Sequence, residues 1–177
     1  MKRLLCVILL LILVLSGCSL GLEQTKEPVI FYYMRQHTGE DAYDTFFSEG
    51  VIGQEIREAS GHRSDLQYLL ALYMQGPNDP DLQFPFPVGS KVMETRIEDG
   101  KLTIVMNAIS SRFDELDVTV SCACIAKTCM ELVDVEEVTV MSCAPGNQIL
   151  FTRTFTPDNL ILADTHTLPA EPAEETE

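Results

Sequence analysis

With 27 Asp and Glu against 12 Lys and Arg in 177 residues, the chain carries a formal charge of −15. Such a surface repels phosphate backbones, which excludes nucleic acid as a natural partner. The length suffices for one compact domain with a real core.

Met1-Lys2-Arg3 is a short basic start, and Leu4 to Leu15 is an unbroken apolar run of twelve residues. That run is too short to span a bilayer and suits the core of a signal peptide. Leu15-Ser16-Gly17-Cys18 follows directly and resembles the bacterial lipobox. Residues 1–17 are therefore expected to be a lipoprotein signal peptide. Cys18 is the expected lipid-attachment residue, tethering the chain through diacylglycerol to the outer face of the cell membrane. Two acyl chains give stable anchoring where one does not. Loss of Lys2 and Arg3 would leave 10 basic residues against 27 acidic ones, a formal charge of −17. Residues 18–27 read as a polar tether.

The folded part begins with Pro28-Val-Ile-Phe-Tyr-Tyr-Met34, β-branched and aromatic as strands prefer. Residues 36–44 form a polar loop, and 46–58 read as a second strand with irregular spacing. Leu66, Leu69, Leu70 and Tyr73 then recur at i, i+3, i+4 and i+7, predicting a helix over 65–75. Ser64 is the expected N-cap, with Gln67 returning the bond. Gly76 and Pro77 stop the helix.

The loop from Gly76 to Gly89 holds Pro77, Pro80, Pro85 and Pro87. Phe84 and Phe86 flank Pro85 and read either as a lid on the core or as a rigid apolar contact for a partner. Asp99-Gly100 then joins two alternating runs within 91–108, the signature of a type I′ hairpin. Leu102, Ile104 and Met106 share one face of the outgoing strand. Met93, Thr95 and Ile97 share one face of the incoming strand, opposite Glu94, Arg96 and Glu98.

A second helix carries Val118, Cys122, Ile125, Cys129 and Leu132 on one stripe. Asp114-Glu-Leu-Asp117 complements the dipole at its start, with a Ca²⁺ site as the alternative. Strands follow at 135–141 and 149–155, then a turn at 157–159 and a short apolar segment at 160–162. Residues 169–177 are acidic and rich in Pro, Ala and Glu, a composition that cannot build a core.

Four cysteines lie in the body of the chain: Cys122, Cys124, Cys129 and Cys143. Cys122 and Cys129 share the helix stripe, Cys124 lies off it, and Cys143 follows the next strand. They read as buried thiols, with a disulfide involving Cys143 or a metal site as alternatives. No catalytic or phosphate-binding motif is present, and His37, His62 and His166 are scattered in polar segments. No catalytic residue, metal or cofactor is expected.

Taken together, Ile30-Phe-Tyr-Tyr33, Leu69-Leu70 with Gly76-Pro77, Pro87-Val-Gly89, the Asp99-Gly100 hairpin and Glu131-Leu-Val133 leading into Val138-Thr-Val140 resemble the GerMN domain of sporulation and germination lipoproteins. The resemblance spans 28–144 within a single domain expected over 28–168. It implies an α+β fold with a small antiparallel sheet and two helices on one face, like ring-building domains of secretion machines. It further implies a non-enzymatic assembly or scaffold module of the cell envelope, with sporulation or germination as the setting. Envelope proteins and further copies of the chain are the implied partners. A lipoprotein that binds a cell-wall or small-molecule ligand is the rival reading.

Overall fold

The computed structural model describes residues 27–36, 50–107, 109, 115–146 and 148–160. The expected signal peptide, Cys18, the expected tether up to residue 26, the 36–44 loop beyond Gln36, residues 46–49 of the expected second strand and the acidic tail lie outside these residues.

The elements run β1 (Pro28–Arg35), β2 (Ile52–Glu58), α1 (Leu66–Tyr73), β3 (Leu82–Gln83), β4 (Val92–Glu98), β5 (Lys101–Asn107), α2 (Glu115–Leu132), β6 (Glu137–Ala144) and β7 (Gln148–Phe155). The α+β class is as expected. The arrangement differs from a single antiparallel sheet, because the strands form two sheets. One is antiparallel in the order β2-β1-β3, and the other has the order β4-β5-β6-β7. In the second sheet β5 and β6 run parallel, with Leu102 opposite Val138 and Ile104 opposite Val140. A parallel pair needs a long crossover between its strands, and the 18-residue α2 supplies it.

The turn chemistry behaves as its residues dictate. Asp99 and Gly100 both take positive φ, 50° and 73°, as a type I′ turn requires. Gly76 takes φ 86° just beyond α1. The N-cap of α1 is Asp65 rather than Ser64, with the Asp65 carboxylate accepting the Tyr68 N–H at 3.0 Å. A charged acceptor makes the stronger bond to an orphan helix N–H.

The helices occupy different places, rather than one face of one sheet. α1 lays Leu69, Leu70 and Tyr73 into the core. The Tyr73 ring stacks on Tyr33 of β1 at 4.7 Å and meets Phe31 edge-on at 5.8 Å. α2 packs against β6, β7 and β1. β3 pairs with β1 only at Met34 and Arg35. Farther along β1 the Tyr32 N–H is satisfied by the buried Thr128 hydroxyl of α2, at 2.9 Å. An unpaired buried N–H is costly, so this bond holds sheet one to the helix beneath sheet two.

Neither helix has a basic residue in its last turn. Two arginines from elsewhere serve instead. Arg57 of β2 donates to the Leu72 and Gly76 carbonyls at the end of α1. Arg63, from the β2–α1 connection, donates to the Leu132 and Glu131 carbonyls of α2 at 2.8 and 3.2 Å. Orphan carbonyls and the negative helix end both favour a cation there.

Leu69 of α1 and Ile125 of α2 are almost fully buried. Leu69→Ala and Ile125→Ala are each expected to cost about 2–5 kcal/mol, as buried large-to-small changes do. Urea unfolding of the two variants beside wild type measures it, and losses below about half a kcal/mol would remove both side chains from the core.

Candidate docking surface

Among the described residues β4 ends the second sheet, and its antiparallel partner β5 sits on one side. Register assigns its side chains to two faces. Val92, Thr95 and Ile97 lie opposite Met106, Ile104 and Leu102, all three of which are fully buried. Glu94, Arg96 and Glu98 lie opposite Val105, Thr103 and Lys101 on the other face. Met93 is the extra residue of a bulge between Val92 and Glu94.

The alternating pattern made Met93 and Ile97 candidates for the buried face. The structure leaves them 65% and 51% exposed. α2 packs mainly against β1, β6 and β7, and α1 is the helix that meets β4, leaving Met93 and Ile97 largely uncovered. Arg96 stands between two acids, 3.0 Å from Glu94 and 3.8 Å from Glu98.

Two shallow grooves flank this strand. The first, about 470 Å³, runs between α1 and β4 and is lined by Gln67, Leu70, Ala71, Met74 and residues 90–95. The second, about 560 Å³, lies on the other side and includes Val105, Asn107, Cys143 and Pro145. Met93 and Glu94 border both. Cys143 and Glu94 both line the second groove. Among the described residues no group of three His, Cys, Asp or Glu side chains could hold a metal ion, and no helix is long and apolar enough to cross a membrane.

Phe84 and Phe86 belong to the core instead of to this surface. Phe86 is 4% exposed, and Phe84 packs against the core with its ring 6.4 Å from Tyr73. The buried Ser121 hydroxyl of α2 donates to the Pro85 carbonyl at 2.5 Å, which pulls the loop inward. Phe86 is enclosed as a lid residue would be, while Phe84 is half-buried against the core. The apolar side chain that the loop does present is Val88, which is fully exposed.

Cys122, Cys124 and Cys129 are buried along α2, and Cys143 is half-buried on β6. All four are free thiols. Cys124 is as enclosed as the stripe residues, because α2 is covered on two sides. Burial pushes the Cys122 thiol up to about 12 and raises Cys124 and Cys129 further. A thiol held protonated is a poor nucleophile. His62 stacks on Tyr68 at 4.1 Å. Asp114 lies outside the described residues, while its neighbour Glu115 pairs with Arg153 at 3.0 Å.

The polar centre of the fold is the Glu55–Arg57 pair on β2, joined at 2.6 Å and nearly enclosed. Glu55 also accepts the Asn78 N–H at 2.8 Å and the Asp79 N–H at 3.4 Å. Burial raises the Glu55 pKa, but the bonds from Arg57, Asn78 and Asp79 outweigh it and hold the carboxyl below its usual range.

Comparison with known proteins finds no family model and no curated protein that matches. Among solved structures, the chain is similar to the tandem GerMN domains of the sporulation protein GerM from Bacillus subtilis, at 20% identity and TM-score 0.46, over 80% of this chain and 49% of that one. It is also similar to a chain described as a lipoprotein from Clostridium perfringens, at 14% identity and TM-score 0.44, over 79% of this chain and 93% of that one. The chain thus spans about half the length of the GerM structure.

Two solution measurements follow from these environments. Glu55 is held below the ordinary glutamate pKa of 4.5, so its stabilising bonds are fully present above that pH. They are lost as pH falls through the lowered value. The stability advantage of wild type over Glu55→Gln should therefore shrink on acidification from pH 4.5 downward, read by denaturant unfolding across pH. In thiol alkylation with peptide mapping, Cys143 should react in the native protein, and Cys122, Cys124 and Cys129 only after unfolding. Native labelling of Cys124 at the rate of Cys143 would contradict the buried placement.

Proposed function

We propose that this chain is a membrane-anchored extracytoplasmic lipoprotein whose single domain serves as a non-enzymatic assembly or scaffold module of the cell envelope. The carrying observation is the surface around β4. It offers an open strand edge, exposed Met93 and Ile97, and shallow grooves on both flanks. Such a surface suits recognition through backbone pairing and apolar contact. A small-molecule site would instead enclose its ligand and converge a few polar groups on it.

The address comes from the sequence. Leu15-Ser16-Gly17-Cys18 behind a twelve-residue apolar run supplies the anchor through diacylglycerol on Cys18. The surface is acidic enough that anionic lipid heads repel it, so the lipid does the tethering alone. The resemblance of the 28–144 motifs to GerMN domains makes sporulation and germination assemblies the setting in which envelope partners are sought.

Cys18→Ala is expected to release the chain from the membrane fraction or block its processing. Fractionation and migration identical to wild type would sink the anchor. The non-enzymatic reading is tested on the purified chain with ester and cell-wall substrates. No turnover above a heat-denatured control is expected, and saturable turnover overturns it.

A further inference from the structure

The β4 edge carries a charge pattern that is complementary to itself, and we propose that two copies of this chain pair antiparallel through it, forming one continuous eight-stranded sheet. The proposal goes beyond the scaffold reading, since it names the occupant of the edge and holds for the purified chain in isolation.

β4 reads Val92-Met-Glu-Thr-Arg-Ile-Glu98. In a two-fold antiparallel pair centred on Thr95, Glu94 of each copy faces Arg96 of the other, so two opposite-charge pairs form. Met93 of each copy faces Ile97 of the other, so the most exposed apolar residues of the strand cover each other. The next pair outward sets Val92 opposite Glu98, and the one beyond it sets Lys91 opposite Asp99. Other registers lose this match. Centred on Arg96, Glu94 faces Glu98 and Arg96 faces itself. Centred on Glu94, that carboxylate faces itself and Val92 faces Arg96. Like charges directly opposite destabilise a strand pair, and opposite charges support it.

Generic protection of an edge explains charges on β4, but not their self-complementary order. A two-fold interface requires that order, because the same patch must serve as both halves. Arg96 and Glu94 are 60% and 57% exposed, so both are available to a second copy. Pairing brings Ile97 of the second copy to Met93 at the mouth of the α1–β4 groove, beside Leu70 and Met74. The bulge at Met93 recurs at both ends of a two-fold pair, where Met93 meets Ile97, and leaves the central Glu94–Arg96 pairs regular. The net charge of −15 per copy opposes association at low salt and is screened at physiological ionic strength.

The test is sedimentation equilibrium of the purified full chain in density-matched detergent at physiological salt, with Glu94→Arg, Arg96→Glu and the double reversal. Wild type should show a monomer–dimer equilibrium. Each single reversal places like charges opposite each other twice and should weaken dimerisation about ten-fold or more. The double reversal should restore it. Mixing the two single variants should also restore it, because every facing pair is then opposite in sign. Circular dichroism and urea midpoints like those of wild type show that these exposed changes leave the fold intact. A wild type that stays monomeric up to about 1 mM overturns the proposal. So does a dimer indifferent to both single reversals, or one that neither the double reversal nor mixing rescues.

Discussion

The Arg57 guanidinium is the contact on which most of the first layer depends. It lies over the Phe31 and Tyr33 rings at 5.6 and 5.9 Å, pairs with Glu55, and caps the last carbonyls of α1. Glu55 in turn holds the turn at Asn78 and Asp79. One ion pair therefore ties a strand, a helix end and the start of the Pro-rich loop together. A nearly enclosed charge pair is stable only when its remaining donors and acceptors are satisfied, and here the backbone satisfies them. Arginine suits the role better than lysine, because a planar fork can reach a carboxylate and two carbonyls at once.

The second layer is joined to the first through α2. Thr128 reaches the β1 backbone, Arg63 caps the helix from the other direction, and Ser121 draws the Pro85 carbonyl inward. Each of these bonds links residues more than thirty positions apart in the chain. α2 is consequently enclosed on two sides, and its small residues suit that position. Ala123, Ala126, Cys122 and Cys129 let strands approach closely where larger side chains would separate them.

Local chemistry was the legible part. Asp99-Gly100, Gly76-Pro77, the α1 face of Leu69, Leu70 and Tyr73, and the α2 stripe are each set by residues within one or two turns of one another. What escaped depends on distant partners. The parallel β5–β6 pair and the split into two sheets follow from where α2 packs, which no short pattern encodes. The arginine caps are invisible to a search of each helix's own last turn. Cys124 is buried because a helix covered twice has no free side, so a one-stripe reading leaves it out. Met93 and Ile97 alternate as buried residues should, yet α1 leaves a groove beside β4 and covers neither fully. On the docking surface, the order of charges on β4 stood in plain view in the sequence, while its meaning required knowing that this strand is an edge.

The parallel crossover also governs the order in which the chain can acquire its structure. The β4–β5 hairpin closes through a two-residue turn and can form in microseconds. The other side of β5 must wait for β6, which arrives only after α2 has been made and folded back. Until then, Leu102, Ile104 and Met106 lie on a hairpin with an open inner edge and no covering helix. Non-local pairing of this kind slows folding and lengthens the life of sticky intermediates. The final sheet is therefore most vulnerable to misassembly in the interval between the synthesis of Asn107 and the docking of Glu137, and a holdase that shields apolar strands would act on that interval.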